Sequence, residues 1–181
     1  MVNPAGIMLL SIGLALGPGY YVYSHFFSGT VASTHPVPIK HQAAGDSFDP
    51  LQIELTPDMG KVGLIFRFQA EHGPVMSPVQ MPRNTYRAIL KSGQQTVFDH
   101  AFTLSSTSVE AASMLNFSEA MPLFQATSGG LYQLQLSQTG EAGMNLISAE
   151  VQVRQGIVEP SSSVLAIGFG LLATGIALLL L

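Results

Sequence analysis

The chain has 181 residues, with 7 Lys and Arg against 11 Asp and Glu, for a formal net charge of −4. Charged residues make up 10 % of it, against roughly a quarter in typical soluble domains, and cations this sparse exclude the basic clusters on which nucleic-acid binding depends. Cysteine is absent, which excludes a disulfide framework and thiolate metal sites.

Every Lys, Arg, Asp and Glu lies between Lys40 and Glu159, so both ends are apolar. Gly6–Phe27 reads GIMLLSIGLALGPGYYVYSHFF, charge-free apart from His25, and predicts a first transmembrane helix over residues 5–27. A cleaved signal peptide is the competing reading, but the positive n-region is missing and the run is long for an h-region. Gly13 and Gly17, four apart, put small residues on one helical face and suit close helix packing. Gly17-Pro18-Gly19 frees backbone groups and predicts a kink or local unwinding that needs protein neighbours. Tyr20, Tyr21, Tyr23, Phe26 and Phe27 mark a membrane–water interface at the end facing the middle of the chain.

Residues 28–47 follow, SGTVASTHPVPIKHQAAGDS, where Pro36 and Pro38 favour extended backbone and small residues offer little to bury. They are predicted to be a linker. Residues 48–156 alternate apolar and polar, the period of a half-buried strand. LQIEL (Leu51–Leu55) does so, as does KVGLIFRFQ, with Val62, Leu64, Phe66 and Phe68 on one face and Gly63 and Arg67 on the other. Pro57-Asp58-Met59-Gly60 supplies the turn between them. Further strands are predicted at Thr85–Lys91, Gln95–Leu104, Met114–Phe117, Leu123–Ala126, Leu131–Ser137 and Asn145–Arg154, with Val109–Met114 a short helix or loop. KSGQQ and QTGEAG read as hairpin turns. In the second hairpin Tyr132, Leu134 and Leu136 meet Ile147, Ala149, Val151 and Val153, while Gln133, Gln135, Gln138, Glu150 and Gln152 form a wet opposite face. This spacing of short strands predicts a membrane-anchored all-β chain: an antiparallel β-sandwich or jelly-roll-like domain flanked by two transmembrane helices.

Candidate chemistry is thin. His72 lies close in sequence to Met76 and Met81, and imidazole with thioether sulfur is a ligand set suited to copper(I), the one metal site the sequence offers. MPRNTYR concentrates Arg83, Tyr86 and Arg87 into a candidate contact patch for a partner or lipid headgroup. Asp99 and His100, adjacent on a strand, point to opposite faces. Ser105, Ser106 and Ser108 read as a polar loop, and Asn116-Phe117-Ser118 satisfies a glycosylation sequon. No nucleophile elbow, phosphate loop or spaced carboxylate pair is present, so no catalytic residue and no other cofactor is expected.

A short linker over residues 157–162 leads to a second transmembrane helix over residues 163–181. Its length of 19 residues gives about 28 Å against a hydrocarbon core of about 30 Å. Ala166 and Gly170, four apart, form its small face. Neither tail carries a cation, so the positive-inside rule has nothing to count. The reading places the termini inside and the β domain outside, on the periplasmic side of a bacterial inner membrane. The expected function is a non-catalytic accessory or assembly subunit of a larger integral-membrane complex, respiratory or photosynthetic among the candidates, with other membrane subunits and the bilayer as partners. The alternative is a membrane-tethered ligand- or copper-binding module.

Overall fold

The computed structural model describes residues 3–24, 28–42, 45–73, 81–106 and 114–180. They fall into two units, Met1–Thr30 with Gly156–Leu181, and Val31–Gln155.

In the first unit, helix α1 (Pro4–Leu14) starts where Asn3 accepts a hydrogen bond from the Ala5 N–H and Pro4 occupies a position whose N–H needs no partner. A π-helical stretch, Ala15–Gly19, follows with Pro18 inside it, and then a single turn, α2 (Tyr20–Val22). Proline offers no N–H, and the helix answers by widening: the Tyr20 N–H reaches back five residues to the Ala15 carbonyl. The predicted break is thus a π turn rather than a rupture. Helix α3 (Ser162–Leu180) is straightforward, and both helical segments, Pro4–Val22 and Ser162–Leu180, are long and apolar enough to cross a membrane.

The second unit is a two-sheet β structure. One sheet runs β1 (Thr30–Pro36), β11 (Asn145–Gln155), β5 (Lys61–Glu71) and β8 (Leu115–Ala120), with β9 (Phe124–Gln125) also on β5. The other runs β2 (Ile39–Gln42), β3 (Gly45–Phe48), β10 (Gly130–Ala142), β6 (Arg83–Ser92) and β7 (Gln95–Ser105), with β4 (Leu51–Leu55) also on β10. Alternation does what period two requires. Val62, Leu64, Phe66 and Phe68 of β5 are buried, as are Tyr86, Ala88 and Leu90 of β6 and Tyr132, Leu134 and Leu136 of β10. At the centre Phe68 stacks on Tyr86 with ring centroids 5.6 Å apart, and Phe102 lies 5.7 Å from Tyr86 and 6.1 Å from Phe66. These rings join the sheets across the core.

Three expectations change. Residues predicted as a linker carry β1, β2 and β3; Val37 is 5 % exposed and its N–H bonds the Ala149 carbonyl. Backbone pairing orders this segment where its side chains give little pattern. Second, β10 and β11 are not a hairpin: they belong to different sheets, as do β4 and β5 on either side of Pro57–Met59. Their apolar faces meet across the core instead of side by side. Third, a register shift between Leu146 and Ser148 buries Leu146 fully and leaves Ile147 41 % exposed, reversing the predicted placement. The β6–β7 hairpin does form, Ser92 opposite Gln95, with Gly93 at φ 59 in its two-residue loop. Val109–Met114 falls almost wholly outside the described residues.

Candidate functional site

Each predicted site residue can be located except Met76, which lies outside the described residues. His72 follows the end of β5 and is 4 % exposed. Its Nδ1 lies 2.7 Å from the Gly73 carbonyl, so that nitrogen carries the proton, and Nε2 accepts from the Ser106 hydroxyl at 3.0 Å. Both ring nitrogens are engaged. Among the described residues no group of three His, Cys, Asp or Glu could hold a metal ion. Ser106, read from sequence as a loop residue, is itself 4 % exposed, and its N–H donates to the Pro82 carbonyl. The pair is sealed, and it links residues following β5 and β7, one strand from each sheet.

The Arg83–Tyr86–Arg87 patch does not hold together. All three are on β6, where period two sends Arg83 and Arg87 outward and Tyr86 into the core at 0 % exposure. Tyr86 Oη accepts from Asn84 Nδ2 at 2.8 Å, and the fully buried Asn84 also bridges both backbone groups of Met144. Burial pushes the Tyr86 phenol above its ordinary value of 10.0, the Asn84 hydrogen bond lowers it, and the Asp46 carboxylate raises it. Arg87 clasps Asp99 from the neighbouring strand through two hydrogen bonds, Nε to Oδ1 at 2.6 Å and Nη2 to Oδ2. That clasp holds the Asp99 carboxyl below its ordinary value and Arg87 above its own. His100 faces the other way and stacks on Phe102 at 6.4 Å.

In the helical unit, α1 and α3 pack antiparallel through glycine. A Cβ added at Gly13 would strike the Leu172 backbone and lie 2.9 Å from the Gly168 carbonyl. One added at Gly168 would strike the Gly17 nitrogen and lie 2.6 Å from the Leu16 carbonyl, and one at Gly175 would sit 2.5 Å from the Leu10 nitrogen. Gly13 and Gly17 lie on this face, whereas Ala166 and Gly170, the small pair predicted on the second span for packing with the first span or with another subunit, face away from it. Both are exposed, and a Cβ at Gly170 would meet nothing within 4 Å. Gly6, Gly13 and Gly17 of one segment thus face Gly168 and Gly175 of the other, so a spacing of seven on both helices joins the spacing of four on the first. The neighbour that the Pro18 turn needs is α3 of the same chain. A polar clasp closes one end of the pair: the Tyr20 hydroxyl donates to the Glu159 carbonyl at 3.5 Å, the Ser161 N–H donates to Tyr20 Oη at 3.3 Å, and Ser28 Oγ donates to the Val158 carbonyl at 3.4 Å.

One concavity stands out on the outward face of the β1–β11–β5–β8 sheet, a cleft of about 660 Å³. Cross-strand register builds its floor as two rows: Glu150, Arg67 and Ser118 in one, Ser148, Gln69 and Asn116 in the next. Pro36 of β1 stands at one side. The Asn116-Phe117-Ser118 sequon lies on this floor, but the grid around it exists only once β11, β5 and β8 lie side by side.

No protein-family model matches the chain, and no curated protein matches it either. Among solved structures, the chain is similar to part of one described as infectious bursal disease virus Gt strain, at 9 % identity and a TM-score of 0.33, covering 74 % of this chain and 34 % of that one. Dimeric latent PorU from Porphyromonas gingivalis matches at 16 % identity and a TM-score of 0.29, over 62 % of this chain and 10 % of that one. The chain thus spans a small part of either structure, and likenesses this weak carry no argument about fold or function.

Proposed function

We propose that this chain is a non-catalytic accessory or assembly subunit of a larger integral-membrane complex, held by its two helices in a bacterial inner membrane with the sandwich on the periplasmic side. The observation that carries the reading is the glycine seam. Close backbone approach at Gly13, Gly168 and Gly175 makes α1 and α3 one preassembled anchor. Its outward residues, among them Met8, Leu14, Ile167 and Phe169, are at least half exposed or close to it, at 65 %, 51 %, 58 % and 50 %. Such a surface suits lipid and neighbouring spans, and among the described residues of the two spans there is no Asp, Glu, Lys or Arg for an ion or proton path. On the sandwich, the buried Ser106–His72 pair is sealed from water, which suits a structural bond better than nucleophilic catalysis.

Purification of the full chain in mild detergent, followed by mass spectrometry, tests the reading. Stoichiometric recovery with other membrane-spanning subunits is expected. Recovery as a lone monomer, under conditions that keep other membrane complexes intact, overturns it.

A further inference from the structure

We propose that the cleft on the outward face of the β1–β11–β5–β8 sheet is a binding site for a neutral, polyhydroxylated ligand, a short segment of glycan. The case begins with register. Glu150 pairs with Arg67 and Arg67 with Ser118, while Ser148 pairs with Gln69 and Gln69 with Asn116. Alternation points all six side chains to one face, and pairing aligns them in two parallel rows. Three strands about 4.8 Å apart make each row about 10 Å wide, roughly the length of two linked pyranose rings. The volume of about 660 Å³ lies within the range of about 300–1,000 Å³ usual for small-ligand clefts.

Charge selects the ligand class. Arg67 and Glu150 are the charged side chains of the cleft, one of each sign, so the floor is neutral and favours neither an anion nor a cation. Their 3.9 Å separation is too long for a hydrogen bond. Each therefore keeps its capacity for a ligand, Arg67 as a fork of donors and Glu150 as a pair of acceptors. Gln69 accepts from Ser148 at 3.2 Å, which orients its amide. Asn116 and Ser118 are exposed and make no side-chain hydrogen bond among the described residues. Planar amide, guanidinium and carboxylate groups each present two polar atoms side by side, the arrangement that matches neighbouring hydroxyls which donate and accept at once. Pro36, Phe117 and the stems of the six polar side chains add apolar surface between these groups, as the faces of a sugar ring require. The six groups stand on paired strands, so a ligand pays little to order them.

The full chain in dodecylphosphocholine micelles, which carry no sugar, would be titrated with cellotetraose, maltotetraose and chitotetraose and followed by saturation-transfer NMR. At least one is expected to saturate with a Kd near or below about 1 mM. Asn116→Ala and Gln69→Ala are each expected to weaken it about tenfold, the loss of one or two hydrogen bonds. Because both side chains are exposed, their thermal unfolding should match the parent's. Gln133→Ala, on the other sheet, should leave binding unchanged. Failure of all three sugars to saturate by about 10 mM overturns the proposal. So does binding that survives Asn116→Ala and Gln69→Ala unaltered, since the ligand would then lie elsewhere. Neither result touches the assembly reading, which rests on the helices.

Discussion

At Gly13, Gly168 and Gly175 the two helices approach until backbone meets backbone, whereas in the sandwich Phe66, Phe68, Tyr86 and Phe102 hold two sheets together through the bulk of their rings. One unit is close-packed because side chains are missing, the other because large ones fill the space. The contrast has a physical origin. In water, burying apolar rings drives association. The two helices are long and apolar enough to cross a membrane; in lipid that drive would vanish, and van der Waals contact between smooth faces would take its place. Opposite substitutions should therefore damage the two units: additions in the helices, deletions in the sandwich.

The largest expected effect is in the helical seam. Gly168→Leu would drive a side chain into Gly17 and Leu16, and backbone cannot yield as a rotamer can. The two helices should cease to pair, read as early loss of helical circular dichroism on adding dodecyl sulfate to the full chain in mild detergent. Gly170→Leu, two residues away with nothing within 4 Å, should titrate like the parent. If both variants behave alike, the seam is misassigned and the contrast between the units fails.

The sandwich should respond to the reverse change. Phe68→Ala removes a ring stacked on both Phe66 and Tyr86, at 5.6 Å from each. The lost burial and the cavity left behind should cost about 3–5 kcal/mol, measured by urea unfolding of the sheet signal with the helical signal as an internal reference. A loss below about 1 kcal/mol would mean that the ring cluster collapses to refill the space.

How much of this was legible in the sequence differs between the two units for the same reason that their packing differs. Strand alternation is written in single residues, so β4–β11 could be read from Leu51 onward, and so could the inward face of Val62, Leu64, Phe66 and Phe68. Alternation is silent on which sheet a strand joins, because side-by-side strands and strands facing across a core show the same pattern. That is why β10 and β11 read as a hairpin. Strands β1–β3 escaped notice because backbone pairing specifies them; the side chains of β1 lie mostly at the surface. In the helices, four-residue spacing picks out Ala166 and Gly170 as readily as Gly13 and Gly17, and only the partner backbone tells which of them face the other helix. The cleft needs Glu150, Arg67 and Ser118 from strands far apart in the chain.

The smallest expected effect sharpens what the ring cluster does beyond filling space. Tyr86 brings a titratable hydroxyl to the middle of the core, with Asn84 as its hydrogen-bond partner. Burial, the largest influence, raises its folded value above the ordinary 10.0, so the neutral phenol is favoured in the native state. The sign follows. Below pH 10.0 both states keep the proton and the contribution is fully present. Above it the unfolded chain releases the proton first, binds fewer protons than the folded one, and stability falls as pH rises through the folded value. For one proton the slope is no steeper than about 1.4 kcal/mol per pH unit. Denaturant midpoints across alkaline pH should therefore decline for the parent and decline less for Tyr86→Phe. In the variant Asn84 still bonds the Met144 carbonyl, which keeps the core closed for the comparison. Equal alkaline slopes would place the Tyr86 hydroxyl in water, and the contrast between a core built on large rings and a seam built on bare backbone would lose its sharpest marker.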